Sequence, residues 1–367
     1  MSVRCGIVGL PNVGKSSLFN ALSNAGAESA NFPFCTIDPN VGIVPVPDAR
    51  LNKLTELVSP QKTIPTSIEF VDIAGLVKGA SEGKGKGNAF LSHIRDVDII
   101  VHVVRCFEDD DVIHVEGDVN PTRDVDIIDS ELQFKDLESV EKRIDKLKKQ
   151  AKSGDKTIRM YIEVCERLKA HIENGEPVHS FEAPEEAKAA YADLALLTDK
   201  SVLFVCNVPE EDIASDGADN PHVAEVRRLA DARGAKTVVA CARIEAEIAE
   251  LDEDAKKEFL DELGISSAGL DRLIQAAYAE LGLITYFTAG EKEVRAWTIT
   301  EGMKAPQAAG VIHSDFERGF IRAETIAYAD FVKHGSESAS REAGKLRSEG
   351  KEYIVKDGDV LHFRFNV

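Results

Sequence analysis

Gly9-Leu10-Pro11-Asn12-Val13-Gly14-Lys15-Ser16 sits between the apolar run Cys5-Gly6-Ile7-Val8 and the segment Ser17-Leu18-Phe19-Asn20-Ala21-Leu22. The octet fits G-x-x-x-x-G-K-[ST], a phosphate-binding P-loop. The run before it is fit for a buried strand. Leu18, Leu22 and Ala25 after it recur at helical spacing, so the context is strand, turn, helix. The chemistry follows from that order. Gly9 and Gly14 let the backbone bend until successive N–H groups face phosphate oxygens. The helix start adds its positive dipole end. Lys15 supplies a mobile cation, and Ser16 places a hydroxyl where it can ligate Mg²⁺.

Reading outward, Asn31-Phe32-Pro33-Phe34-Cys35-Thr36 is a Pro-marked loop. Thr36 is the candidate to close over the terminal phosphate and bind Mg²⁺. Val41 to Val46 reads as a strand and Ala49 to Val58 as a helix. Ser67-Ile68-Glu69-Phe70-Val71-Asp72 is a strand ending in an acid, followed by Ile73-Ala74-Gly75. This D-x-x-G pattern places Asp72 in the outer shell of Mg²⁺ and the Gly75 amide at the γ phosphate. Leu76 follows, where Ras-like proteins carry the glutamine that orients water. Leucine cannot do that job. The Gly/Lys-rich loop from Lys78 occupies the place of a nucleotide-sensing switch.

Asp98 to Arg105 is a further buried strand, with His102 read as a core-edge histidine. The acids Glu108-Asp109-Asp110-Asp111 read as a solvated loop. His114 is the nearest spare general base for a site lacking glutamine; an ordinary loop histidine is the competing reading. From about Asp129 to Asp199 the pattern changes. Leu137, Val140, Ile144 and Leu147, then Ile158, Ile162, Cys165, Leu168 and Ile172, predict an antiparallel helical hairpin with charged outer faces. Val202 to Cys206 returns to strand and ends in Asn207-Val208-Pro209-Glu210. No Asn-Lys-x-Asp guanine-reading segment exists in the chain. Asn207 can offer a donor and an acceptor to the adenine edge, so the base is read as adenine. A last strand, Thr237 to Ala240, leads to Cys241-Ala242-Arg243, the place for backbone contact to the base.

Strands alternating with helices predict a doubly wound, mostly parallel α/β sheet with its ligand at the strands' C-terminal ends. Helices fill Glu245 to Glu280. Beyond Leu281, Val294 to Ile299 and Asp359 to Phe365 alternate as strands do. A helix-like Ala308 to Phe320 lies between them.

Across its 367 residues the chain carries a formal charge of −20. From Gly282 onward there are 12 Lys and Arg against 13 Asp and Glu, so the acidity belongs to the first 281 residues. Such a body is no general binder of phosphate backbones. Any RNA contact must use a local patch, the helical insertion or the near-neutral C-terminal part. Apolar runs are too short to span a bilayer, and six scattered cysteines with no C-x-x-C pair argue against zinc and disulfides. The expectation is a cytoplasmic protein with no membrane partner.

By these motifs the chain resembles the YchF-type Obg-like ATPases. The stretches that carry the resemblance are Gly9 to Ser16, Asn31 to Thr36, Phe70 to Ala80, and the tail from Thr285 to Gly290 through Ile312 to Arg322. The resemblance implies a P-loop NTPase domain over 1–128 and 200–281, a coiled-coil insertion over 129–199, and a TGS domain of β-grasp fold over 282–367. It implies slow Mg-ATP hydrolysis preferred over GTP, and association with the ribosome (70S or 50S). Carried onto matching positions, Asn12, Val13, Gly14, Lys15, Ser16 and Ser17 wrap the phosphates. Ser16 and Thr36 bind Mg²⁺, while Asn207, Val208 and Glu210 with Cys241 and Ala242 surround the base. The resemblance makes His114 the substitute for the missing glutamine and admits K⁺ at Asn12. An Obg-class GTPase, and a nucleotide-gated ribosome-binding module with marginal hydrolysis, are the alternatives.

Overall fold

The computed structural model describes residues 3–27, 40–73, 93–151 and 155–366. The chain divides into two compact units. The larger is Arg4–Gly42 with Glu69–Leu273; the smaller is Met1–Val3, Ile43–Ile68 and Ile274–Val367. By contacts, then, Ile43–Ile68 groups with the C-terminal residues.

One six-stranded sheet is built from β1 (Val3–Val8), β2 (Val41–Pro45), β4 (Ser67–Asp72), β5 (Ile99–Arg105), β6 (Val202–Asn207) and β7 (Lys236–Ala240), in the order β2-β4-β1-β5-β6-β7. β1, β5, β6 and β7 pair in parallel. All seven residues of β5 are buried. That is expected for the middle strand of a parallel sheet covered on both faces, and it explains why the sequence there shows no alternation. β1, β4, β5, β6 and β7 all deliver their C-terminal ends to one edge, where such sheets bind ligands.

The helix that leads into the hairpin starts at Pro121, ahead of the heptad-like spacing. Helix α3 runs Pro121–Gln150, capped by the Asn120 side chain with Pro121 in the first turn, an arrangement that favours helix initiation. Its first turns belong to the body of the larger unit, where Val125 joins the core beneath β5, β6 and β7. Its far half forms the hairpin. Val140, Ile144 and Leu147 pack on Val164, Cys165, Leu168 and Ile172 of α4 (Lys156–Glu173). Asp136 closes the insertion by accepting from the amides of Leu197 and Thr198 at 2.7 and 2.8 Å and from the Thr198 hydroxyl at 2.7 Å.

In the smaller unit, β3 (Lys62–Ile64), β8 (Leu283–Ala289), β9 (Glu293–Thr300), β10 (Phe320–Ala327), β11 (Arg347–Glu349) and β12 (Asp359–Phe365) form a mixed sheet ordered β11-β10-β12-β8-β9-β3. A helix, Ala305–Ile312, lies in its grip: Ala308 and Ala309 pack with Tyr286, Ile299 and Phe363. This is a β-grasp arrangement. The opposite face is covered by α2 (Ala49–Val58) through Leu51 and Leu54. The expected helix Ala308 to Phe320 ends before Phe320, because a short second helix stops at Arg318 and Phe320 opens β10. Gly319 permits that entry: a Cβ there would meet the Asn366 carbonyl oxygen at 2.3 Å.

Among the described residues, five cysteines are buried and unbonded, and no helix is long and apolar enough to cross a membrane.

Candidate functional site

The P-loop joins β1 to α1 (Lys15–Ala27). Its backbone turns through two left-handed residues, Asn12 at φ 63° and Gly14 at φ 92°. At Gly14 no side chain fits, for a Cβ would stand 2.1 Å from the Asn207 amide nitrogen. Val13 is buried as an apolar anchor, whereas Ser16 and Ser17 are exposed on the first turn of α1. Lys15 is buried and donates to the carboxylate of Asp72 at the end of β4. A lysine and an acid paired at the strand ends, beside a loop of inward-turned amides, have the donor set for a phosphate with its metal. Ser16 and Asp72 supply the oxygens Mg²⁺ prefers. Thr36, Gly75, Leu76 and the Gly/Lys loop as far as Leu91 and Ser92 lie outside the described residues.

Asn207, at the end of β6, is a brace. Its amide nitrogen donates to the Val13 carbonyl at 2.9 Å, and its side-chain oxygen accepts from the Ala242 amide at 2.9 Å. One N–H and one lone pair remain for a base. Val208 turns its side chain into the core under β5, β6 and β7, which leaves its backbone for any ligand. Glu210 is exposed. Cys241 and Ala242 are buried at the end of β7. Three segments far apart in sequence are thus tied at one point beside Gly14. The turn is held from behind by Glu245, whose buried carboxylate accepts from the amides of Gly269 at 2.7 Å and Leu270 at 3.2 Å. Burial raises the Glu245 carboxyl above its ordinary pKa.

The loop after β5 is fixed by a residue the sequence reading passed over. Arg105 is 2% exposed. Its guanidinium donates to the carbonyls of Phe107, Val112 and Asp109 at 3.0, 2.8 and 3.3 Å and lies over the Phe107 ring. One cation thereby organises the whole acidic turn. The available signal was a lone arginine closing an apolar strand. The acids Glu108 to Asp111 are exposed, in keeping with a solvated loop.

His114 is buried on that loop. The Glu116 amide donates to its Nδ1 at 3.1 Å, so Nε2 carries the proton and donates to Asp124 at 2.8 Å. Asp124, missed in the sequence, sits in the first turn of α3 and is also held by Arg123 at 3.1 Å. Both ring nitrogens are therefore used, Nδ1 within the loop and Nε2 on α3. Next to it the Asn12 amide donates to the Ile113 carbonyl at 3.0 Å, which fastens the loop to the P-loop. His102 is a core histidine: it packs against Phe204 with ring centroids 5.5 Å apart. Burial, with the charge of Arg233, lowers its pKa to about 3.

Among the described residues, one group of acids and histidine has metal-ligand spacing: Glu324, Glu337 and His362 in the smaller unit. The Glu324 carboxylate is already held by Arg322 and Arg364 at 3.1 and 3.0 Å, which disfavours a cation there.

Residues 4–158 match the family described as 50S ribosome-binding GTPase. Residues 283–366 match one described as a protein of unknown function (DUF933). The chain is 59% identical to the ribosome-binding ATPase YchF of Bacillus subtilis and 54% identical to that of Escherichia coli O157:H7, over 100% of each chain. It is also similar to the solved Schizosaccharomyces pombe YchF GTPase, at 39% identity over 99% of this chain and 98% of that one, with a TM-score of 0.88.

Proposed function

This chain belongs to the YchF family, and from that premise we propose that it is a ribosome-associated P-loop nucleotide hydrolase, working slowly on Mg-ATP in preference to GTP as a nucleotide-dependent switch. The observation that carries the reading is the junction at Gly14, where Asn207 braces the P-loop beside Lys15 and Asp72 while the aspartate that would read guanine is missing from Asn207-Val208-Pro209-Glu210. The bacterial relatives are named ATPases and the ribosome-binding names are theirs.

In this reading the P-loop amides and Lys15 bind the phosphates, and Lys15 exchanges its contact with Asp72 for phosphate oxygens. Ser16 and Thr36, with Asp72 nearby, would hold Mg²⁺, which would supply positive charge for the transferring phosphoryl group. The Gly75 amide senses the γ phosphate. Asn207 presents its remaining N–H and lone pair to adenine, with the backbone of Val208, Glu210, Cys241 and Ala242 around the base. His114 positions water only after leaving Asp124, so basal turnover is slow. K⁺ at Asn12 assists in the same way as Lys15, by adding positive charge. The nucleotide domain spans 1–128 and 200–281, the insertion 129–199, and the C-terminal TGS domain 282–367, the last two being the routes for RNA contact. The setting is cytoplasmic.

A second reading, an Obg-class GTPase, is favoured by two observations: the Asn207 brace serves either base, and the Schizosaccharomyces pombe relative is named a GTPase. Equilibrium binding of fluorescent ATP and GTP analogues, with Mg²⁺ and with or without K⁺, decides between them. Tighter ATP binding is expected; tighter GTP binding overturns the adenine assignment.

A further inference from the structure

Of the six large apolar side chains left exposed among the described residues, three fall on one stretch of the larger unit: Ile113 at 79%, Val115 at 47% and Phe134 at 58%. The first two flank buried His114 on the loop after β5. Phe134 stands on α3, seven residues along from half-buried Ile127 and so on the same helix face. Along α3 lies an open cleft of about 670 Å³, lined by Asn120, Arg123, Ile127, Glu131 and Phe134, with Glu225 of helix Pro221–Ala232 at its side. Loop and cleft are joined, since Arg123 in the cleft pairs with Asp118 of the loop at 2.6 Å. From Arg123 to Phe134 the face extends about 16 Å, or three helical turns.

The segment itself is acidic, although Arg233 at the end of helix Pro221–Ala232 pairs with Asp129 at 2.5 Å and approaches Asp126 at 4.0 Å, and His222 lies 3.6 Å from Glu108. Residues 108–134 contain ten acids and one basic residue, Arg123. Arg123 is spent on Asp118 and Asp124. Asp109, Asp110, Asp111 and Glu116 are exposed on the loop. An apolar strip in an acidic frame complements a cationic segment with apolar side chains on one face. It repels a phosphate backbone.

We propose that the face formed by the loop 108–118 and the first turns of α3 docks a basic, amphipathic segment of a partner protein, with Ile127 and Phe134 taking its apolar side and the loop acids its cations. For its functional consequence the proposal rests on the preceding reading: at the ribosome this face takes basic protein and not RNA. The surface is coupled to the nucleotide site, because the Ile113 carbonyl accepts from Asn12. A partner that moves Ile113 pulls on the left-handed residue of the P-loop and on the segment that buries His114.

The test is fluorescence anisotropy of a labelled Lys/Leu amphipathic peptide of roughly 18 residues titrated with the full chain. A Lys/Gly peptide of equal charge and a single-stranded RNA of similar length serve as comparators. Ile127→Ser/Phe134→Ser is expected to weaken the Lys/Leu peptide about tenfold and Ile354→Ser, an exposed apolar position in the smaller unit, to leave it unchanged. Equal affinity in the wild type and the double variant overturns the proposal, as does RNA binding that the double variant weakens. If the double variant fails to fold, Asp109→Asn/Asp110→Asn/Asp111→Asn decides: about threefold weaker binding at low salt supports it, and no change overturns it. ATP-analogue binding and co-sedimentation with purified ribosomes are measured on the same preparation. Peptide binding without either breaks the proposed function and leaves the surface standing; both without peptide binding does the reverse.

Discussion

The P-loop and the loop after β5 face each other across the Asn12–Ile113 hydrogen bond, yet they are specified in different ways. The P-loop takes its shape from eight consecutive residues, two of them glycines, and one of those at φ 92°. The loop 106–118 has the composition of a solvated, unstructured turn. It is held by buried polar groups: Arg105 against three carbonyls, and His114 against Asp124. A local conformational code survives changes elsewhere in the molecule. A loop organised by a buried cation loosens if that cation is lost, because three carbonyls lose their shared partner and the guanidinium leaves a cavity.

The comparison can be broken at several points. The largest effect is expected at the P-loop: Lys15→Ala should lower turnover about 10²–10³-fold in a phosphate-release assay, since it removes the charge nearest the transferring group. Unchanged turnover would sink the hydrolase reading. Arg105→Ala should cost about 2–4 kcal/mol of stability in urea unfolding, through a cavity and three deprived carbonyls. A P-loop-like, self-specified turn would lose far less.

His102, on the same strand as Arg105, offers a contrast that does not involve the loop. Its folded pKa is lowered to about 3 from near 6.5 in the unfolded chain. Below pH 6.5 the unfolded state takes up a proton that the folded state refuses. Stability therefore falls with decreasing pH through this window, by on the order of 1.4 kcal/mol per pH unit for this group. In His102→Leu that acid limb should flatten when unfolding is followed from pH 7 to pH 4. The smallest effect is expected where the two regions meet. Asn12→Gly, which removes the donor and keeps the left-handed backbone, should cost about 1 kcal/mol and speed hydrogen exchange in residues 113–116. Unchanged exchange there would show that the hydrogen bond does not couple the two loops.

The candidate site was legible wherever its residues are contiguous. Gly9 to Ser16 and the strand closing in Asp72 are sequence patterns with one geometric meaning. The sequence also marks Asn207 by its strand-end position, but its use as a brace between Val13 and Ala242 depends on β6 and β7 lying side by side. Arg105 and Asp124 left almost no trace. An arginine at a strand end and an aspartate in a helix's first turn are ordinary on a surface, and burial alone makes them structural. The helical insertion illustrates the same limit. Its heptad-like spacing from Leu137 was readable, whereas the first turns of α3 carry body-facing residues with no hairpin periodicity. Their start was set by Asn120 and Pro121.

The amino-acid sequence by itself determined the alternation of strands and helices, the P-loop and its lysine, the absence of an Asn-Lys-x-Asp segment, the helical hairpin and the near-neutral C-terminal part. These are encoded in local periodicity, in backbone permissiveness and in side-chain type. Tertiary structure alone decided that Ile43–Ile68 groups with the C-terminal residues, that His114 uses one nitrogen on its own loop and the other on Asp124 of α3, and that Ile113, Val115 and Phe134 are left exposed. Burial and partner choice decide such things, and both depend on which distant segments the fold brings within a few ångströms of one another.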